Sequence, residues 1–302
     1  MRLNSAGHSA AVARATSYFS PSSAYGDVTG GIAFYQFLED LAKNFEERKK
    51  TLIEKLKETA KRLFTTDNLT VSFTADEKGY GEMKQSLKLL TGILPETGGE
   101  RYTFTCDKEN KNEGFMTSSQ VNYVARCGSF AESGLPYTGA LRTLKVILGY
   151  DYLWLNVRVK GGAYGVMNGA GRTGEGYFVS YRDPNLKETN QVFENVVKYL
   201  EEFDADERDM TKYVIGTISD LDVPLLAPYK GSKADAAYFS HLTDEMIKKE
   251  REEILKATKE DIRALAPVIR EILSTGSFCV IGNAEKIREN QELFGEVKNL
   301  FN

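Results

Sequence analysis

An arginine and a tyrosine six residues apart, Arg158 and Tyr164, flank a glycine pair in the run Arg158-Val159-Lys160-Gly161-Gly162-Ala163-Tyr164-Gly165. Adjacent glycines let backbone pass close to a ligand, and across such a turn a guanidinium and a phenol can converge on one acceptor oxygen and polarise a carbonyl. A helix-ending arginine beside a packed strand tyrosine would show the same residues, and residue physics alone favours that plainer reading. Metal chemistry has few candidates. The two histidines, His8 and His241, belong to no H-E-x-x-H or H-x-x-E-H spacing, and both read as helix-end or surface residues rather than ligands. Gly169-Ala170-Gly171-Arg172-Thr173-Gly174 fits G-x-G-x-x-G, yet a phosphate cradle needs a strand before it and a helix directly after. Here a strand-like run follows, so a hairpin tip is expected and nucleotide binding is the rival that a helix after Gly174 would favour.

The elements that must position these residues can be read from periodicity. Ser9 to Tyr18 suits a helix, and Pro21 to Asp27 brings turn chemistry. Apolar residues at intervals of three and four from Ile32 to Phe45 and from Leu52 to Phe64 predict two long amphipathic helices joined near Glu46 to Lys50. Leu69, Val71 and Phe73 alternate as a half-buried strand does, and Met83, Leu87, Leu90 and Leu94 mark a helix closed by Pro95. A polar, glycine-containing stretch from Glu96 to Asn112 is the candidate domain boundary. Beyond it come a strand over Val121 to Cys127, an apolar helix over Leu141 to Leu148, and a hairpin from runs at 163–167 and 177–181. Asp183-Pro184, Asp206-Glu207, Thr243-Asp244 and Thr258-x-x-Asp261 look like helix starts, and Phe278 to Ile281 like a covered strand. The order predicts an α+β fold of two units, helices packed on mainly antiparallel sheets. The first unit, with one convincing strand, is incomplete.

Composition sets the outer limits. The 302 residues are 41% hydrophobic and 27% charged, ordinary globular values with enough chain for two modest cores. A formal net charge of −4 offers no basic footprint, so no nucleic-acid partner is expected. Three cysteines, Cys106, Cys127 and Cys279, form no C-x-x-C pair and indicate neither a disulfide framework nor a cysteine zinc site. No apolar run reaches the ~18 residues of a spanning helix, and Met1 to His8 lacks the apolar core of a secretory signal. The expectation is therefore a cytoplasmic chain without membrane contact.

Four ordered stretches carry a resemblance: Gln120 to Val124, Leu153 to Gly165, Ser180 to Leu186 and Ile215 to Asp220, with Gly7-His8-Ser9-Ala10-Ala11 and Arg14-Ala15 upstream. Together they resemble the C-terminal half of pitrilysin/insulinase-type zinc metallopeptidases, of the presequence-protease subgroup. The resemblance implies two halves, each of two related α/β domains, closing around a chamber. Zinc, its H-x-x-E-H motif and the general base would lie in the N-terminal half, and none in this chain, which alone would be inactive. Residues 1–112 would be the C-terminal part of the third peptidase-like domain (metalloenzyme LuxS/peptidase-like) and 113–302 the fourth. Arg158 and Tyr164 are then the catalytic pair reaching the substrate carbonyl, with Gly161 and Gly162 letting the substrate backbone approach. Partners would be peptide substrates and the N-terminal half. The alternative is a non-catalytic structural or peptide-binding subunit of the same fold.

Overall fold

A computed structural model describes residues 6–97, 99–100 and 102–301. One compact unit is assembled from residues up to 36, 104–222 and from 248 onward. At its centre, among the described residues, is a six-stranded sheet: β1 (Glu113–Thr117), β2 (Tyr123–Ser129), β3 (Gly165–Ala170), β4 (Glu175–Tyr181), β5 (Ser277–Asn283) and β6 (Glu296–Asn299) in the order β3-β4-β2-β5-β1-β6. The β3/β4, β4/β2 and β2/β5 pairs are antiparallel, whereas β5/β1 and β1/β6 are parallel, so the α+β fold is built on a mixed sheet. The apolar run Phe278 to Ile281 is the buried middle of β5, as its lack of alternation predicts.

Period-two alternation sorts the sheet's side chains into two cores. Val124, Phe178 and Val280 face one layer, where they meet Leu141, Leu144 and Ile147 of α6 (Ala140–Tyr150), and further residues from the later helices. Ala125, Cys127, Val179, Cys279 and Ile281 face the other, packing on Ala10, Ala11, Ala15 and Tyr18. These belong to or abut α1 (Gly7–Ser17), whose alanine face lets it lie close on the sheet. A Cβ at Gly7 would stand 2.2 Å from the Tyr123 ring, so that approach requires glycine. The two buried thiols are free, and burial pushes Cys127 up to about 12.

Pro21 does not open a turn. It occupies the first position of α2 (Pro21–Gly30), with the Ser20 hydroxyl accepting from Ser23 N–H at 3.3 Å. The fixed φ of proline is preorganised for that position, which the turn reading overlooked. α1, α2, β1 and β6 are tied by one buried ionic cluster. Arg14 forks onto Glu113, at 3.0 Å for one of its bonds, and bonds Asp27. Tyr18 O–H donates to Glu113 at 2.7 Å, and Lys298 approaches the same carboxylate at 2.7 Å.

After α3 (Ile32–Lys43) comes α4 (Phe45–Leu63), the two parted at Asn44 rather than within 46–50, and then α5 (Glu77–Thr91). The second compact unit comprises residues 37–103 and 223–247. Leu69, Val71 and Phe73 form no strand in it; Val71 and Phe73 are exposed. Alternation alone makes no strand when no neighbouring backbone completes the ladder, and among the described residues none pairs with this segment. Within this unit the chain closes on itself through Thr66 N–H to the Pro95 carbonyl and Asp67 N–H to that of Glu96.

The later helices run α7 (Lys187–Glu194), α8 (Val196–Glu201), α9 (Glu207–Leu221), α10 (Ala227–Phe239), α11 (Asp244–Leu255), α12 (Lys259–Arg263), α13 (Ala266–Ser274) and α14 (Ala284–Glu289). Asp206 caps α9 through Asp209 N–H, and Thr258 with Asp261 forms the expected reciprocal capping box. Asp183 is no cap. Its buried carboxylate accepts from Asn185 N–H and Thr189 O–H, and α7 begins four residues later.

Candidate functional site

Past α6 the chain does not continue as a regular α-helix: Trp154–Lys160 winds as a π-helix, a form that recurs at functional sites. It places Trp154 beneath Arg158, whose guanidinium carbon lies 3.9 Å from the indole centroid. The same carbon is 5.9 Å from the Tyr164 ring, so the sequence-predicted pair does come together, on either side of the glycine turn. A guanidinium that stacks by its face keeps its N–H edge available to donate. Tyr164 is 66% exposed, and its ring leans edge-on against Tyr181 at 5.7 Å. Tyr181 in turn meets Tyr123 at 5.6 Å and His8 at 4.9 Å, a line of rings running from the rim into the core.

The glycine turn is held by its own backbone. Gly162 N–H donates to the Arg158 carbonyl at 2.9 Å, Ala163 N–H to Val157 at 3.1 Å, and Asn185 Nδ2 to the Gly161 carbonyl at 2.6 Å. Gly162 adopts φ +80°, a left-handed conformation that only glycine takes without strain. A Cβ on Gly161 would lie 2.5 Å from the Val157 oxygen.

The G-x-G-x-x-G run resolves as strand and hairpin. Gly171 N–H donates to the Glu175 carbonyl, Gly174 N–H to Gly171, and Gly174 has φ +83°, a three-residue hairpin loop ending in left-handed glycine. β4 follows directly, so the helix N-terminus that a nucleotide phosphate would need is missing at this position. A cavity of about 660 Å³ lies along β3, between α1 and α6, with His8, Lys145 and Asn168 among its walls. Among the described residues the buried Nδ1 of His8 has no partner, and burial lowers the histidine's pKa. His241 sits just past α10 at φ +53°. Among the described residues no three His, Cys, Asp or Glu side chains gather as metal ligands, so the residues present do not fit a zinc site.

Residues 112–284 match the family model of the PreP C-terminal domain, and residues 1–41 match that of a peptidase-associated region. The chain belongs to the presequence-protease (PreP) family. Among its PreP-family relatives, presequence protease 1, chloroplastic/mitochondrial, of Arabidopsis thaliana is 30% identical over 302 residues, covering 98% of this chain and 28% of that protein. Protein HypA of Clostridium perfringens is 41% identical over 294 residues, 97% of this chain and 30% of that one. The chain thus spans less than a third of the length of these relatives. Pitrilysin is similar over 68% of this chain and 23% of its own, with a TM-score of 0.48 and 12% identity. The family matches support an insulinase-type C-terminal half, in agreement with the resemblance read from the sequence. Sequence reasoning passed over Trp154, although four residues before Arg158 is the spacing at which helical side chains meet. Tyr181 and His8 reach the site through strand pairing and helix packing, for which no local signal exists.

Proposed function

We propose that this chain is the C-terminal, substrate-binding half of a zinc metalloendopeptidase that degrades unfolded peptides in a closed chamber, acting with an N-terminal half that bears the metal motif. The observation that carries the reading is the exposed Tyr164 phenol beside an Arg158 guanidinium pinned on Trp154. Zinc held by the other half would supply Lewis-acid activation of water. Tyr164 O–H and the Arg158 N–H edge would donate to the carbonyl oxygen as it gains negative charge, and the side-chain-free Gly161 and Gly162 would let the substrate backbone come near. Residues 1–112 as the end of a third peptidase-like domain and 113–302 as the fourth belong to this proposal, as does residence in the cytoplasm. No helix of the described residues is long and apolar enough to cross a membrane.

The test is Tyr164→Phe in the intact enzyme. The ring and its packing stay, so the fold should hold, while loss of an oxyanion donor should lower kcat by ~10²- to 10³-fold with KM little changed. Arg158→Lys should also lower kcat, because an ammonium cannot reproduce the planar fork. Wild-type turnover in Tyr164→Phe would overturn the catalytic role and favour a non-catalytic peptide-binding subunit. By itself the chain should bind no stoichiometric zinc and cleave no peptide, and adding the N-terminal half should restore cleavage. Chelator-sensitive peptidase activity in the purified chain would contradict this.

A further inference from the structure

We propose that the free edge of β3 is a peptide-annealing site, at which an extended polypeptide adds to the sheet as a seventh strand. β3 ends the sheet, and among the described residues nothing pairs with its outer side. Because Gly171 N–H donates across to Glu175, ladder alternation turns the N–H and C=O groups of Gly169, Met167 and Gly165 toward β4. Those of Val166, Asn168 and Ala170 then face the open edge.

The side chains leave that edge bare. Val166 and Ala170 pack toward the α6 layer, Met167 toward the α1 layer, and Asn168 donates its amide to the Lys145 carbonyl at 3.4 Å. The strand Gly165-Val166-Met167-Asn168-Gly169-Ala170 contains no charge and no proline, the devices by which sheets usually blunt an edge. At the opposite end of the sheet β6 has only four residues and carries Glu296 and Lys298. One edge is protected and the other is open. The 660 Å³ cavity runs along the open one, with room for alternate side chains of an added strand on the α1 and α6 flanks. An unfolded peptide is the occupant that matches a row of unpaired main-chain groups, since its own are unpaired too. Lying there, it would end beside Tyr164, the residue before β3.

This inference deepens the peptidase reading but stands on different atoms, so the two can fail separately. The chain would be titrated with a fluorescein-labelled unstructured peptide and with the same peptide N-methylated at alternate residues. Binding should be seen by anisotropy for the first and lost for the second, and amide exchange should slow at Val166, Asn168 and Ala170. Ala170→Pro removes one outward donor while sparing the ladder to β4, and should weaken binding at least ~tenfold with circular dichroism and melting temperature unchanged. If that variant does not fold, exchange in the wild-type chain decides. Equal binding of the methylated peptide, or protection elsewhere, overturns the proposal. So does a dimer in sedimentation whose β3 amides are protected without peptide, which would make a second copy the occupant. Wild-type kcat in Tyr164→Phe would sink the oxyanion role alone, and absence of peptide binding to the chain would sink the annealing site alone.

Discussion

Gly162 holds φ +80° at the point where the chain leaves the π-helix and enters β3, and its Cβ position is otherwise open, with Pro184 Cγ at 3.6 Å. Gly162→Ala should therefore cost ~1–2 kcal/mol of backbone strain without a steric clash, read by chemical denaturation. An unchanged stability would mean that the turn relaxes to negative φ, and Tyr164 would then shift with it. Sequence shows the two glycines and suggests room for a ligand backbone; the conformation adds a demand of the fold itself. The nearness of Arg158 and Tyr164 was legible because six residues of chain spanning a glycine turn keep them close, whereas the role given to the pair came from the family resemblance. What holds Arg158 in place was less so, because the Trp154 stack depends on how the helix winds. That no described residue partners the Nδ1 of His8 was not legible, since it follows from α1 meeting Tyr123 and Tyr181 across a hundred and more residues of chain.

Among the elements, the β3–β4 hairpin tip is fixed by α11. Glu250, buried to 7% exposure, accepts from Tyr137 O–H at 3.2 Å and bonds both Arg142 and Arg172, the latter in the hairpin loop. Glu250→Gln should destabilise the protein by ~1–3 kcal/mol, below the full cost of breaking a buried pair because Arg142 is half exposed. It should also speed amide exchange at Gly171 to Gly174. Unaltered exchange there would show that the left-handed Gly174 turn needs no external anchor. Local chemistry made the elements readable where it is self-contained: the Thr258 and Asp261 capping box bonds within four residues, and the glycines of the hairpin announce its turn. Leu69 to Phe73 fails for the complementary reason. A strand is a relation between two segments, and the alternating pattern records only one of them.

At the scale of the molecule, the sheet unit draws on three separated stretches of sequence, and the Arg14 cluster fastens the first of them to β1 and β6. Burial by itself would raise the Glu113 carboxyl, but hydrogen bonding and charge from Arg14, then bonds from Lys298 and Tyr18, outweigh it and hold the group at about 2 against an ordinary 4.5. A carboxylate whose pKa is depressed by folding stabilises the native state above its unfolded pKa, and that stability drains as pH falls through the folded value. The window is therefore about pH 4.5 down to about 2, and the difference corresponds to ~3 kcal/mol. Wild-type protein should lose melting temperature across that window. Glu113→Gln keeps a hydrogen-bond acceptor for Tyr18 but leaves Arg14 with Asp27 alone, so it should melt well below wild type at pH 7 and approach it near pH 2. The cost at pH 7 should be ~3 kcal/mol or more, because the substitution strands a buried guanidinium as well as removing a charge. If the two melting curves stay parallel from pH 7 to pH 2, Glu113 does not titrate differently in the folded chain, and the cluster is held by packing rather than by charge.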